Sequence, residues 1–352
     1  MTEWLFEFLG QLNQQMEKIN ERLELIEGVV ELCIGLPTTI LAIYSTYKLR
    51  LLVTFPPTTR IVLGASTSSI AVMTLLHSIL SVIPESYYSV QHGHYISALF
   101  VYTLQFVCLA CTVLLDLKLA LLGWESYLAF NNRHDYEYRD GSQGWKLVAY
   151  YVGFAIVVSW IKVVWYVFFT EMPLDTRLHF AFFIEDSMPF VSFQYFLGFV
   201  SIAFGLTQIY RIHRFAKRMK YKSQSLTESF QIKQIVTLLG ILKPLALSFM
   251  IGYAFALFFH ICACVMLSRG YFRLYRNLAA AVFAVGGLYN TFALMFMLYK
   301  LPQLRQLMIR DVVSVCRLHK HRIAHSNTRE NVVDRIENLD DHFNALKKIW
   351  DH

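Results

Sequence analysis

Five ionisable residues stand inside long apolar runs: Glu31, Asp116, Lys118, Lys162 and Lys243. In lipid an ionised side chain at a helix centre costs about 2.5 to 3.5 kcal/mol unless it is paired or wet, so each of the five needs an answer. Glu31 and Lys243 lie near the ends of their runs, where reaching the headgroups suffices. Asp116 and Lys118 are two residues apart, which on a helix sends them to different faces, so they are not expected to neutralise each other. The expected partner of Asp116 is Lys162 or Lys243. A second set is aromatic with scattered amides. Tyr102, Gln105 and Phe106 share one helical face, as do Tyr253, Leu257 and His260, and also Phe283 and Asn290, with Gln194 entering from another run. These types suit a pocket for a small, mostly apolar ligand oriented by a few hydrogen bonds. They also serve as polar glue between membrane helices, and both readings stand on the sequence.

Catalytic chemistry is not spelled out. There is no HExxH, GxSxG, Walker loop or intramembrane Asp dyad, so an enzyme is not expected. Cys316, His319, His321 and His325 lack structural-zinc spacing and lie in a basic run; no metal or other cofactor is expected. The six cysteines lie in apolar runs apart from Cys316, which reads as small buried hydrophobes rather than a disulfide framework.

The elements that carry these residues follow from composition. Of 352 residues 56% are hydrophobic and only 16% charged, well beyond the ~45 to 50% apolar content of a soluble domain. Seven runs are long enough to cross about 30 Å of hydrocarbon: Val29 to Tyr47, Ile61 to Ile83, Ile96 to Leu122, Leu147 to Phe169, Pro189 to Tyr210, Leu238 to Leu267 and Leu278 to Leu301. The fold class is therefore an all-α membrane protein, a seven-transmembrane-helix bundle over residues 29–301. Lys and Arg number 6 in the segments flanking the spans on the side of the N-terminus and 18 on the other. That asymmetry predicts an outside N-terminus and a cytoplasmic C-terminus. The net charge of +7 then belongs to a rim facing the lipid bilayer, and no nucleic-acid partner is needed.

Both ends carry a narrow apolar seam in steps of three and four. Leu5, Leu9, Leu12, Met16, Ile19, Leu23 and Ile26 mark an extracellular amphipathic helix over 1–28, and Val332, Ile336, Leu339, Phe343, Leu346 and Trp350 a cytoplasmic tail helix over 326–352. Oligomerisation through these end helices and packing on the membrane or bundle are both open. Between span and tail, residues 302–325 suit a basic juxtamembrane helix, with Cys316 placed for a palmitoyl chain or left as a thiol.

The foot of the third span reads Trp124-Glu125-Ser126-Tyr127-Leu128-Ala129-Phe130, followed by Asp135-Tyr136-Glu137. This resembles the ERYxAT...DYE stretch of the nematode serpentine chemoreceptors of the Sra superfamily. Leu226-Thr227-Glu228-Ser229-Phe230-Gln231-Ile232-Lys233 is similar to that family's LSxRFQxKEN segment. Glu31 in the first span and Thr54-Phe55-Pro56-Pro57-Thr58 before the second resemble its class epsilon (Sre) branch. The likeness covers about residues 25–310. It implies a G-protein-coupled receptor in the plasma membrane of sensory cells or their cilia, which detects small chemical cues and signals to a heterotrimeric G protein. On this likeness the coupling surface would draw on Glu125, Ser126, Tyr127, Phe230, Gln231 and Lys233. The chain departs from the pattern where Ser126 and Ser229 stand for the family's Arg and Gln234-Ile235 for its Glu-Asn, and a hydroxyl cannot replace a guanidinium fork. A non-coupling divergent receptor and a seven-span ligand-gated channel subunit are the alternatives. Pro244, near one end of the sixth span, is expected to let that helix swing.

Overall fold

The structure is a computed structural model that describes Gly10 and residues 20–52, 55–84, 87–132, 141–183, 187–219 and 226–323. Of the heptad-patterned end segments, residues 1–9, 11–19 and 326–352 lie outside these, as does the Asp135-Tyr136-Glu137 patch, while residues 20–28 fall within the first described helix. The described residues form helices and connections, with no strand among them. In order the helices are α1 (Asn20–Arg50), α2 (Pro57–Leu80), α3 (Tyr95–Asn131), α4 (Ser142–Phe169), α5 (Leu174–Phe182), α6 (Met188–Met219), α7 (Leu226–Ser268), α8 (Phe272–Lys300) and α9 (Pro302–Ile323).

Seven of these, α1 to α4 and α6 to α8, are long and apolar enough to cross a membrane, the seven-span class read from the sequence. Their limits are set by local chemistry. α2, α5 and α9 each begin at or just after a proline, where the missing N–H costs nothing. The turns before α3 and α8 run through Gly93 and Gly270, at φ +81° and +78°, backbone that side-chain-bearing residues rarely adopt. α3, with 37 residues, and α7, with 43, are about 55 and 65 Å long, so both extend well past a hydrocarbon layer.

Successive spans run antiparallel, which gives the bundle an entry end, where α1 begins, and an exit end, where it finishes. The pairs that fix this are explicit. Near the entry end Glu31 of α1 meets His77 of α2, and Met188 of α6 meets Cys264 of α7. Toward the exit end Thr59 of α2 meets Glu125 of α3, and His213 of α6 meets Lys243 of α7.

α3 is the axis of the bundle. Over half of its span is buried, against 11% for α7. Cys108, Leu109, Val113 and Leu117 pack on Ala155 and Val158 of α4 and Phe190 of α6. Gly123 and Gly205 let α3 and α6 touch backbone to backbone: a Cβ on Gly205 would stand 2.3 Å from the Leu119 carbonyl oxygen, and one on Gly123 2.9 Å from the Gly205 Cα. Ser201 Oγ accepts a hydrogen bond from the Ala120 backbone N–H at 3.1 Å beside this crossing. α1 is held by hydroxyls instead. Thr39 pairs with Thr74 at 2.9 Å and Thr46 with Thr67 at 2.7 Å, both on α2, and Thr38 pairs with Thr291 of α8 at 2.5 Å.

At the entry end α5 packs beside the start of α3 and the connection before it. The Asp175 carboxylate accepts from Ser89 Oγ at 2.7 Å and from the backbone N–H groups of Val90 and Gln91 at 3.1 and 3.2 Å. Its partial burial pushes the acid up, but these three donors and the nearby His92 outweigh that and hold it below the ordinary carboxylate range.

The chain divides into two units at Met308. In the second, the described residues continue the α9 helix to Ile323, with Ile309, Val312 and Val313 exposed. The side chain of Cys316 is outside the described residues.

Candidate functional site

Within the bundle, α2, α3, α6, α7 and α8 surround a cavity of about 180 Å³. Its wall is mostly apolar and aromatic, with Tyr195 of α6, Phe249 and Tyr253 of α7, and Phe283 and Tyr289 of α8. Of the residues expected in a ligand pocket, Gln194, Tyr253, His260, Phe283 and Asn290 all line it. Tyr102, Gln105 and Phe106 do not. Tyr102 is buried nearer the entry end among Tyr88, Phe182 and Phe183, with ring centroids 5.1 to 6.4 Å away. Gln105 is buried along the same helix, and Phe106 packs on Trp160 of α4 at 5.2 Å. Spacing placed each trio on one face, but sharing a face did not decide which neighbour that face meets, because α3 packs on several helices.

The two cavity residues that helical spacing did not bring together are Asp116 and Lys118. Both line the cavity, because the long lysine stem carries its ammonium round to 3.9 Å from the Phe249 ring centroid and 5.0 Å from that of Tyr289. The expected pairs with Asp116 are not made. Lys162 donates to the Phe183 carbonyl at 2.6 Å and sits over the Phe190 ring, while Lys243 lies 2.6 Å from His213 Nδ1 and over Tyr210. Nor does Glu31 reach for a headgroup. It turns inward to within 3.2 Å of His77, whose ring lies tilted against Phe283 with centroids 4.3 Å apart.

Several polar groups of the wall are already spent. Tyr253 Oη donates to the Tyr195 carbonyl at 2.7 Å, Tyr195 Oη to the Ala256 carbonyl at 3.2 Å, and His260 Nε2 lies 3.1 Å from Ser192 Oγ. Gln194 Nε2 and Asn290 Oδ1 are buried without a hydrogen-bond partner among the described residues.

At the exit end a second, small crevice of about 20 Å³ surrounds Glu125 and Ser126. Glu125 is 1% exposed and accepts from Thr59 Oγ1 at 2.5 Å; Ser126 Oγ is spent on the Leu122 carbonyl at 2.7 Å. Gln234, Ile235, Leu238 and Leu239 of α7 close over both. Tyr127, by contrast, is exposed beside Trp124, and Lys233 is exposed on α7. The side chains of Phe230 and Gln231 are outside the described residues. The coupling candidates thus divide into a buried pair and an exposed pair. Among the described residues no cluster of three or more His, Cys, Asp or Glu could hold a metal ion, and no disulfide occurs.

No family model matches this chain, and no curated protein matches it.

Proposed function

We propose that this chain is a chemosensory receptor of the G-protein-coupled kind, with its N-terminus outside the plasma membrane and its C-terminus in the cytoplasm. Its cavity takes a small chemical ligand, and the exit end of the bundle faces a heterotrimeric G protein. The observation that carries this reading is an aromatic cavity inside seven span-length helices, studded with unspent polar groups. The Lys and Arg asymmetry supports the orientation, and the resemblance of the third-span foot to the nematode serpentine receptors supports the receptor class.

Ligand binding shifts the bundle between two packings. α7 is the element suited to move, because Pro244 removes one of its backbone hydrogen bonds. Lys243–His213 ties it to α6 just before that proline, and Tyr289 Oη, donating to the Leu245 carbonyl, ties it to α8 just after. Swinging its foot away uncovers Glu125 and Ser126. Nucleotide exchange on a purified G protein, driven by purified receptor and a panel of volatile and water-soluble compounds, tests the reading; no stimulated exchange by any compound with any G-protein class sinks it.

One observation favours a second reading. Ser126 is buried and its hydroxyl is satisfied within its own helix, so the guanidinium of the family pattern has no substitute at that position. A receptor that binds ligand without activating a G protein, as a partner subunit or decoy, follows from this. Ligand-induced stabilisation without nucleotide exchange is its signature.

A further inference from the structure

Two wall amides are unspent, Gln194 Nε2 as a donor and Asn290 Oδ1 as an acceptor, and Asp116 and Lys118 add one charge of each sign to the same wall. Neither Asp116 nor Lys118 has an opposite charge within 4.0 Å among the described residues, and the Asp116 carboxylate accepts no hydrogen bond among them. The Lys118 ammonium lies over the faces of Phe249 and Tyr289 rather than against a hydrogen-bond acceptor of the described residues.

We infer that the ligand of this cavity is a small zwitterion with an apolar or aromatic body, of the α-amino-acid kind. Its ammonium is held by Asp116 and Asn290, and its carboxylate by Lys118 and Gln194. The inference rests on the receptor reading for its biology, but its chemistry comes from the wall. The two wall charges cancel, so a ligand with one net charge would leave that charge uncompensated in a low-dielectric bundle, where an unpaired ion costs several kcal/mol. A zwitterion leaves none, and meets both wall charges. Buried ion pairs hold only when the remaining lone pairs and protons are also satisfied, and the two amides fill that role. The rings of Tyr195, Tyr253 and Phe283 then take the body.

The test is thermal unfolding of the purified full chain in detergent, with no G protein present, so that it reads binding independently of coupling. The probes are phenylalanine, phenethylamine, which lacks the carboxylate, 3-phenylpropionate, which lacks the ammonium, and the same comparison built on leucine. At least one zwitterion raises the unfolding midpoint, with an affinity about tenfold or more above both of its singly charged analogues, which is about 1.4 kcal/mol. Asp116→Asn shifts the preference toward the carboxylate analogue and Lys118→Met toward the amine. Opposite shifts from two neighbouring substitutions exclude general damage, and each variant's midpoint without ligand reports its folding. An amine that binds as well as the zwitterion, or no shift from any probe, overturns the inference. Nucleotide exchange driven by a neutral odorant in that case would leave the receptor reading standing. Zwitterion binding without exchange would do the reverse.

Discussion

Thr59→Val removes a hydroxyl that donates to a carboxylate almost fully enclosed by protein. Hydrogen bonds to charged groups contribute about 1.5 to 3 kcal/mol, so the variant should unfold at a lower temperature by that order, while Thr103→Ala, at an exposed position, should be near neutral. Asp175 makes a pH-dependent prediction. Its acidity is enhanced in the folded state, so its contribution is present above the ordinary carboxylate pKa and is lost as pH falls through the lower folded value. Acidification below the ordinary carboxylate range should therefore loosen the connection holding Ser89 to Gln91, read as faster hydrogen exchange there. Asp175→Asn should give the same looseness at neutral pH and abolish the pH dependence.

At the scale of elements, the contact between α3 and α6 tolerates no side chain. Gly205→Ala places a methyl group against the Leu119 carbonyl, a backbone group that cannot step aside, and should destabilise by about 1 to 3 kcal/mol. Gly153→Ala, whose new Cβ would meet nothing within 4 Å, is the control. The attachment of α7 offers a functional prediction. Lys243→Met removes the contact with His213 that holds the segment beside Pro244, so basal nucleotide exchange should rise severalfold without ligand if the foot of α7 is the moving part. Unchanged basal exchange in a stably expressed variant would remove α7 from that role.

For the whole molecule, the Lys and Arg asymmetry predicts the direction of insertion, so a tag at the N-terminus should be accessible to antibody on intact cells while a tag at the C-terminus requires permeabilisation. The seven spans were legible in the sequence because an unbroken apolar run of about twenty residues has few alternatives in water. Part of the cavity wall was legible as well: Gln194, Tyr253, His260, Phe283 and Asn290 are polar or aromatic residues where lipid-facing positions would be aliphatic. The convergence of Asp116 and Lys118 on one cavity was not, because residues two apart diverge at Cβ, whereas a lysine stem is long enough to bring its ammonium round to the same wall. The inward turn of Glu31 was hidden for a related reason, since its partner His77 is distant in sequence and only packing places them together. The hydroxyl pairs of α1 were equally silent, as a threonine in a span usually bonds its own helix and gives no sign of a second partner. Here Thr38 and Thr46 do both.

The glycine contact has a mechanical meaning as well as a steric one. Gly123 lies between Asp116 at the cavity and Glu125 at the foot, two points nine residues and about 13 Å apart along α3. Two rods pressed together at one point can rock but cannot slide apart there. A ligand that spreads α3 from α6 at the cavity would therefore draw them together at the foot, so distances measured by paired labels on either side of the crossing should change with opposite sign.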